Sequence, residues 1–348
     1  MCRVALRLMD RKLALRLHRG VQTLKSVQIN EFGEPDVLTV VEATRPEIRE
    51  DDEILVHVRA SGVNFFEVLM RRDQYAVTPS LPATFGVEIA GTVEAAGRNT
   101  GVTVGSRVAV PLFAIGRDGG YAEYVVVKGA AAVPLPEAVS FEAAVALQVQ
   151  GLTALHAVRQ TSPNGKSVLI TAAGGGVGTL LIQLAKQAGA KRIVALAGSD
   201  EKLRTAVSQG ADLAFNYRSD GWSAKCRAAA GDAGFDIVYD FVGGSLTSSF
   251  VEMLTQTGVL LFGALGRFAL DIPSMNKLLA DGQTVKGFAL LPLLQAGAVH
   301  HDLTELFQLT AAGRLTPVIG GRFPLQNAAD AHRFVETRQS TGKVMLVT

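Results

Sequence analysis

At 348 residues the chain is long enough for two domains, because single cores stop growing near about 250–300 residues. Its 34 basic and 32 acidic side chains leave a net charge of +2, without the concentrated basic face that a nucleic-acid partner requires. Apolar residues make up 48% but never run to the roughly 18 of a membrane span, and Cys2 and Cys226 alone give neither a disulfide framework nor a CxxC zinc spacing, so the expected setting is reducing and cytoplasmic.

Residues 1–24 differ from the rest, with Arg3, Arg7, Arg11, Lys12, Arg16 and Arg19 against the single acid Asp10. Arg7 and Arg16 interrupt any secretory core and no Ser is present, which leaves a disordered or artefactual extension. From Lys25 short alternating strands begin: Ser26–Ile29, Val37–Val41 and Glu53–Ala60, then Gly91–Glu94, Gly105–Val110 and Tyr121–Val127. Glycines punctuate them at the spacing of a small antiparallel barrel, with a short helix over Asn64–Met70. Helical runs follow at Phe141–Val149 and Gly151–Val158.

A buried strand over Ser167–Thr171 then stops in small residues before Val177, Leu180, Leu181 and Leu184 take up helical spacing. Ala173-Gly174-Gly175-Gly176-Val177-Gly178 is the dinucleotide fingerprint with Ala in first place. Gly175 lets the backbone approach a pyrophosphate, Gly178 lets helix pack on strand, and the helix N-terminus offers free N–H groups to the anion. Strands at Arg192–Ala197, Leu213–Asn216, Phe235–Asp240, Gly258–Ala264 and Thr284–Phe288 alternate with helices, so a doubly wound parallel sheet is expected. A last helix over Asp302–Ala312 leads to Pro317-Val318-Ile319, and the closing strand Lys343–Val347 returns to the first domain.

An NAD site places a carboxylate about 20 residues beyond the glycines. Here that count reaches Ala197-Gly198-Ser199, with Lys202 and Arg204 on the next helix and Asn216-Tyr217-Arg218 ending the third strand. Cations and no acid favour the 2′-phosphate of NADP.

With these residues in view, the chain resembles the zinc-independent, zeta-crystallin-like quinone oxidoreductases of the medium-chain dehydrogenase/reductase superfamily from Lys25 to Thr348. The matching stretches are Val63-Asn64-Phe65 with Tyr75 beyond, Gly151-Leu152-Thr153-Ala154, the glycine turn with Gln183-Leu184-Ala185-Lys186, Asn216-Tyr217-Arg218, Gly313–Ile319 and Thr341-Gly342-Lys343. The resemblance implies an α/β chain: a GroES-like antiparallel barrel domain over 25–150, a Rossmann domain over 151–290, and a return to the first domain over 291–348. It implies NADPH as cofactor, bound by Thr153, Ala173, Gly175, Gly176, Val177, Gly178 and Lys343. In this pattern Ser199, Lys202 and Tyr217 meet the 2′-phosphate, Ala264 and Phe288 flank the nicotinamide end, and Asn64 and Tyr75 face the substrate. It also implies a homodimer. The chain departs from the pattern at Glu67, where relatives often carry Asp, and at Ala76-Val77, where their Pro-rich stretch begins.

Zinc-dependent alcohol dehydrogenases of the superfamily carry His in a Gly-His-Glu run; here the run is Phe85-Gly86-Val87-Glu88, so no metal is expected. His57, His156 and the loop pair His300-His301 read as packing or surface residues. Without a Lewis acid, simple ketones lose several kcal/mol of stabilisation. Quinones and α,β-unsaturated carbonyls delocalise the new charge onto an oxygen that ordinary donors can hold, and Asn64 and Tyr75 are the candidates. An enoyl-thioester reductase, and a crystallin-like NADPH-binding protein with little catalytic duty, are the alternatives.

Overall fold

A computed structural model describes residues 22–231, 233–294 and 297–348. The reading of a basic extension falls almost wholly outside these, and its boundary moves, since Thr23 and Leu24 already belong to the first strand.

β1 (Thr23–Ile29) pairs antiparallel with β2 (Thr39–Thr44). The second strand starts at Thr39 rather than Val37 because Pro35 opens a 3-10 turn. β3 (Glu53–Val63) is the spine of the larger sheet, and α1 (Phe65–Arg71) follows it. β4 (Ala83–Thr84), β5 (Ile89–Ala96), β6 (Arg107–Val110), β7 (Tyr124–Lys128) and β8 (Val133–Pro134) complete this part. Alternation in β3 buries Ile54, Val56 and Val58 against Val93, Val108 and Val125, each such side chain contributing about 1.5–3 kcal/mol over exposure.

α2 (Phe141–Ala146) starts where Ser140 Oγ accepts from the Ala143 N–H at 3.1 Å. Sequence spacing predicts helix over Phe141–Val149 that continues over Gly151–Val158, without a change of helix type between them. The chain instead runs through a π turn over Leu147–Gly151 straight into α3 (Leu152–Thr161). The cause lies outside the helix: Glu88 Oε2 takes the Val149 N–H at 2.8 Å, and the diverted donor shifts the ladder by one residue.

The alternation then proceeds through β9 (Ser167–Ile170), α4 (Gly176–Gln187), β10 (Arg192–Ala197), α5 (Asp200–Ser208), β11 (Leu213–Asn216), α6 (Trp222–Ala230) and β12 (Phe235–Asp240). α7 (Leu246–Glu252), β13 (Leu254–Phe262), α8 (Ile272–Ala280) and β14 (Thr284–Gly287) finish it. All neighbours are parallel, in the order β11-β10-β9-β12-β13-β14. The winding reverses between β9 and β12, so a crevice opens beyond their carboxyl ends. Val168, Leu169, Ile170, Val194 and Val238 are fully buried there, as strands covered on both faces require.

α9 (Ala298–Ala311) begins four residues earlier than expected and takes in His300 and His301, which are therefore helical. β15 (Ile319–Pro324) and α10 (Ala328–Glu336) precede β16 (Lys343–Val347), so Asp302–Ala312 is not the last helix. α10 buries only Ala328, Ala331 and His332, too little apolar bulk to show helical spacing in the sequence. β16 pairs antiparallel with β3, and β15 lies parallel on its other side. On the way in, the Gly342 N–H donates to Gly174 O at 2.8 Å, which ties the closing strand to the glycine turn. Among the described residues no helix is long and apolar enough to cross a membrane.

Candidate active site

A cleft of about 310 Å³ lies where the glycine turn faces the β3 end and the α10–β16 segment of the barrel. Gly174, Gly175 and Gly176 form its floor. A Cβ added at Gly178 would lie 2.4 Å from Ala172 O, which is the close approach of helix to strand that the fingerprint needs. Ala173 is fully buried and Val177 partly so; neither lines the cleft. Asp240, buried at the end of β12, accepts from the Val242 and Gly243 N–H groups at 2.9 and 2.8 Å and fixes the loop that brings Phe241 and Val242 to the wall.

One end of the cleft is cationic: Ser199, Lys202, Tyr217, Arg218 and Arg338 line it, and among the described residues no acidic one is part of the lining. Ser199 caps α5 by accepting from the Lys202 N–H, so its own hydroxyl proton stays free for a ligand. Lys202 Nζ donates to Arg338 O at 2.7 Å. Burial, and then Arg218, press the ammonium below the usual lysine range, as befits cations gathered without their anion. Arg338 escapes sequence inspection because it is 136 residues from Lys202 in the chain.

Behind the other end sits a buried charged cluster of Asn64, Glu67, Glu88 and Lys343. Glu88 Oε1 accepts from Lys343 Nζ and from Asn64 Nδ2, the latter at 2.9 Å. Asn64 Nδ2 also donates to Glu67 Oε2 at 3.1 Å, and Asn64 Oδ1 accepts from Lys343 Nζ at 2.7 Å. Both amide hydrogens and the carbonyl of Asn64 are thus committed. The residue positions Val63 and Phe65, which line the cleft, and does not itself line it.

Lys343, expected to bind cofactor, is drawn into this cluster because a buried ammonium needs a counter-ion, while Gly342 and Val344 face the cleft. Thr153 is likewise turned inward, its hydroxyl donating to Val149 O at 2.7 Å. The Tyr75 ring stacks on Phe66 at 5.5 Å in the apolar cluster around α1 and lies off the cleft lining, with burial raising its hydroxyl pKa. Ala264 and Phe288 line a second, largely apolar pocket next door, joined to the cleft by the edge contact of Phe288 with Phe241. Gln150, which spacing gives no reason to single out, does line the cleft, from the π turn.

Two carboxylates share one ammonium in the cluster. Burial, and then the neighbouring Glu88, push Glu67 up from 4.5 to about 8. Its native pKa exceeds its unfolded one, so its contribution is complete below about pH 4.5 and is lost as pH climbs to about 8. Stability is expected to fall across this window by up to about 1.4 kcal/mol per pH unit from this group. Chemical denaturation at several pH values checks it, with Glu67→Gln flattening the slope whatever its absolute stability; equal slopes in both proteins refute it.

Val87 occupies the His place of the Gly-His-Glu run and is 6% exposed. Among the described residues the one grouping of three His, Cys, Asp or Glu is His301, Asp302 and Glu305 on α9, where Asp302 already holds His156 and Arg159 at 3.0 and 2.7 Å.

A Rossmann sheet whose glycine-floored cleft is closed by an antiparallel GroES-like domain defines the medium-chain dehydrogenases/reductases. Residues 50–137 match the alcohol dehydrogenase GroES-like domain family, and residues 209–346 the family described as zinc-binding dehydrogenase. The quinone oxidoreductase of Sus scrofa is 30% identical over 342 residues, 94% of this chain and 99% of that one. That of Salmonella typhimurium is 32% identical over 332 residues, 92% and 98% of the two chains. The crystal structure of Escherichia coli quinone oxidoreductase complexed with NADPH superposes with a TM-score of 0.82 at 28% identity, covering 93% of this chain and all (100%) of that one. The chain belongs to the quinone oxidoreductases of this superfamily.

Proposed function

We propose that the protein is an NADPH-dependent reductase of quinones or α,β-unsaturated carbonyl compounds that works without a metal ion. The carrying observation is the group of Lys202, Arg218 and Arg338 around Ser199 and Tyr217 in a lining without acids. A 2′-phosphate, with nearly two negative charges, suits that group, and a ribose 2′-hydroxyl does not. The α4 N-terminus at Gly176 receives the pyrophosphate. Phe65, Phe241 and Val242 keep water from the far end. NADPH, when bound, supplies the hydride. The donor set supports metal independence: Val87 has no lone pair, Asn64 is spent on its neighbours, and Glu88 is neutralised by Lys343. The names of the relatives point to quinones as the acceptor class.

Coenzyme oxidation across quinones, enones and enoyl-CoA esters, with NADH and zinc analysis as controls, tests this reading. Turnover of quinones or enones with NADPH preferred, and no stoichiometric zinc, is expected. Turnover of enoyl thioesters alone would make it an enoyl-thioester reductase; tight NADPH binding with every acceptor refused would make it a binding protein.

The working unit is proposed to be a homodimer. Among the described residues β14 ends the parallel sheet as an open edge, and the apolar side chains of Ile272 and Leu279 on α8 are 73% and 82% exposed, with Phe268, Met275 and Leu291 also exposed. Light scattering is expected to give twice the chain mass at micromolar concentration; a lone monomer peak rejects the dimer.

A further inference from the structure

The side chain of Gln150 borders the cleft beside Val63, Phe65 and Gly176, and its amide lies so close over the turn that a Cβ at Gly176 would fall 1.7 Å from Oε1. Among the described residues that Oε1 is buried with no hydrogen-bond partner. Native proteins rarely leave a buried amide oxygen idle, and one that borders a cleft is satisfied when the cleft fills.

Its place along the cleft narrows the ligand. A dinucleotide with its 2′-phosphate at Lys202 and its pyrophosphate at Gly175 and Gly176 has one direction left, toward Gln150. The neighbours at that end are the apolar Val63, Phe65, Phe241 and Val242, together with Arg267, whose Nε already donates to Val242 O at 2.8 Å. The Gln150 backbone is held from behind, because Glu88 binds the Val149 N–H with one oxygen and Asn64 with the other.

We propose that Gln150 is the residue that hydrogen-bonds the reacting oxygen of the acceptor. Building on the NADPH-dependent reductase reading, this gives Gln150 the part expected of Asn64. A carboxamide suits both ends of the reaction: N–H₂ donates to the carbonyl oxygen of a quinone or enone, and C=O accepts from the hydroxyl of the reduced product. Donors fixed where charge gathers on oxygen lower the barrier without rearranging.

The test compares wild type with Gln150→Leu, of similar bulk, and Gln150→Glu, which opposes negative charge. Three quantities are measured: kcat/KM for a benzoquinone, NADPH affinity by fluorescence titration, and binding of a nitrophenolate to the NADP⁺ complex by absorbance. Gln150→Leu is expected to lower kcat/KM roughly 100-fold. It should weaken the nitrophenolate at least about tenfold and leave NADPH affinity within about threefold, and Gln150→Glu should bind the nitrophenolate more weakly still. If Gln150→Leu fails to fold, Gln150→Asn, which withdraws the amide by one methylene, carries the same expectation. Unchanged kcat/KM, or a loss confined to NADPH affinity, overturns the proposal. A wild type that takes NADPH but neither binds the phenolate nor reduces any acceptor overturns the reductase reading, and this proposal with it.

Discussion

Replacing Glu88 by Ala is expected to remove about 3–5 kcal/mol of folding stability, the range for breaking a buried ion pair from one side. Lys343, with a side chain only 1% exposed, would lose the carboxylate that balances it. Glu67 could ionise toward it, but its Oε1 accepts from the Gly86 N–H at 3.0 Å and its Oε2 from the Asn64 N–H at 3.0 Å, so a shift toward Lys343 would break one bond to make another. The Val149 N–H would also lose its acceptor, removing the reason for the π turn and for the placement of Gln150. A fall in melting temperature on the order of 10 °C corresponds to this loss for domains of this size. The double variant Glu88→Gln with Lys343→Met should recover most of it, because no uncompensated charge remains. A Glu88→Ala protein melting within about 2 °C of wild type would show that the cluster holds no such energy.

The same cluster explains what the sequence could and could not disclose. Strands such as Glu53–Val63 and Phe235–Asp240, and the turn from Ala172 to Gly178, are local: alternation, apolar runs and glycines act over a few residues, and the fold follows from them. The place of Ser199, Lys202 and Tyr217 in the cleft lining is legible for the same reason: Ser199 caps α5, Lys202 lies in its first turn, and Tyr217 follows the end of β11. Asn64 and Lys343 are 279 residues apart, and their mutual bond turns both away from the cleft. Such inward pairing cannot be read from spacing, since it depends on which charges must be neutralised once water has gone. The π turn is hidden in the same way, because Glu88, just before β5, sets the register of a helix some 60 residues later.

The second large effect concerns the coenzyme. Lys202→Ala is expected to weaken NADPH by about 10–100-fold and NADH hardly at all, since a hydrogen bond to a charged group contributes about 1.5–3 kcal/mol. Arg338→Ala should fall in the same range, although its carbonyl rather than its guanidinium meets Lys202, because its side chain borders the same end of the cleft. The two losses should not add. Lys202 Nζ holds the Arg338 backbone, so removing either residue also loosens the other, and a double-mutant cycle should show coupling of about 0.5–3 kcal/mol. Ionic strength offers an independent check, because a dianion held by three cations loses affinity as salt screens them, whereas NADH lacks that charge. Titration of both coenzymes by fluorescence at low and high salt reads all of these. Equal losses for NADPH and NADH in Lys202→Ala would place the phosphate elsewhere, and the assignment of the cationic end would fall with it.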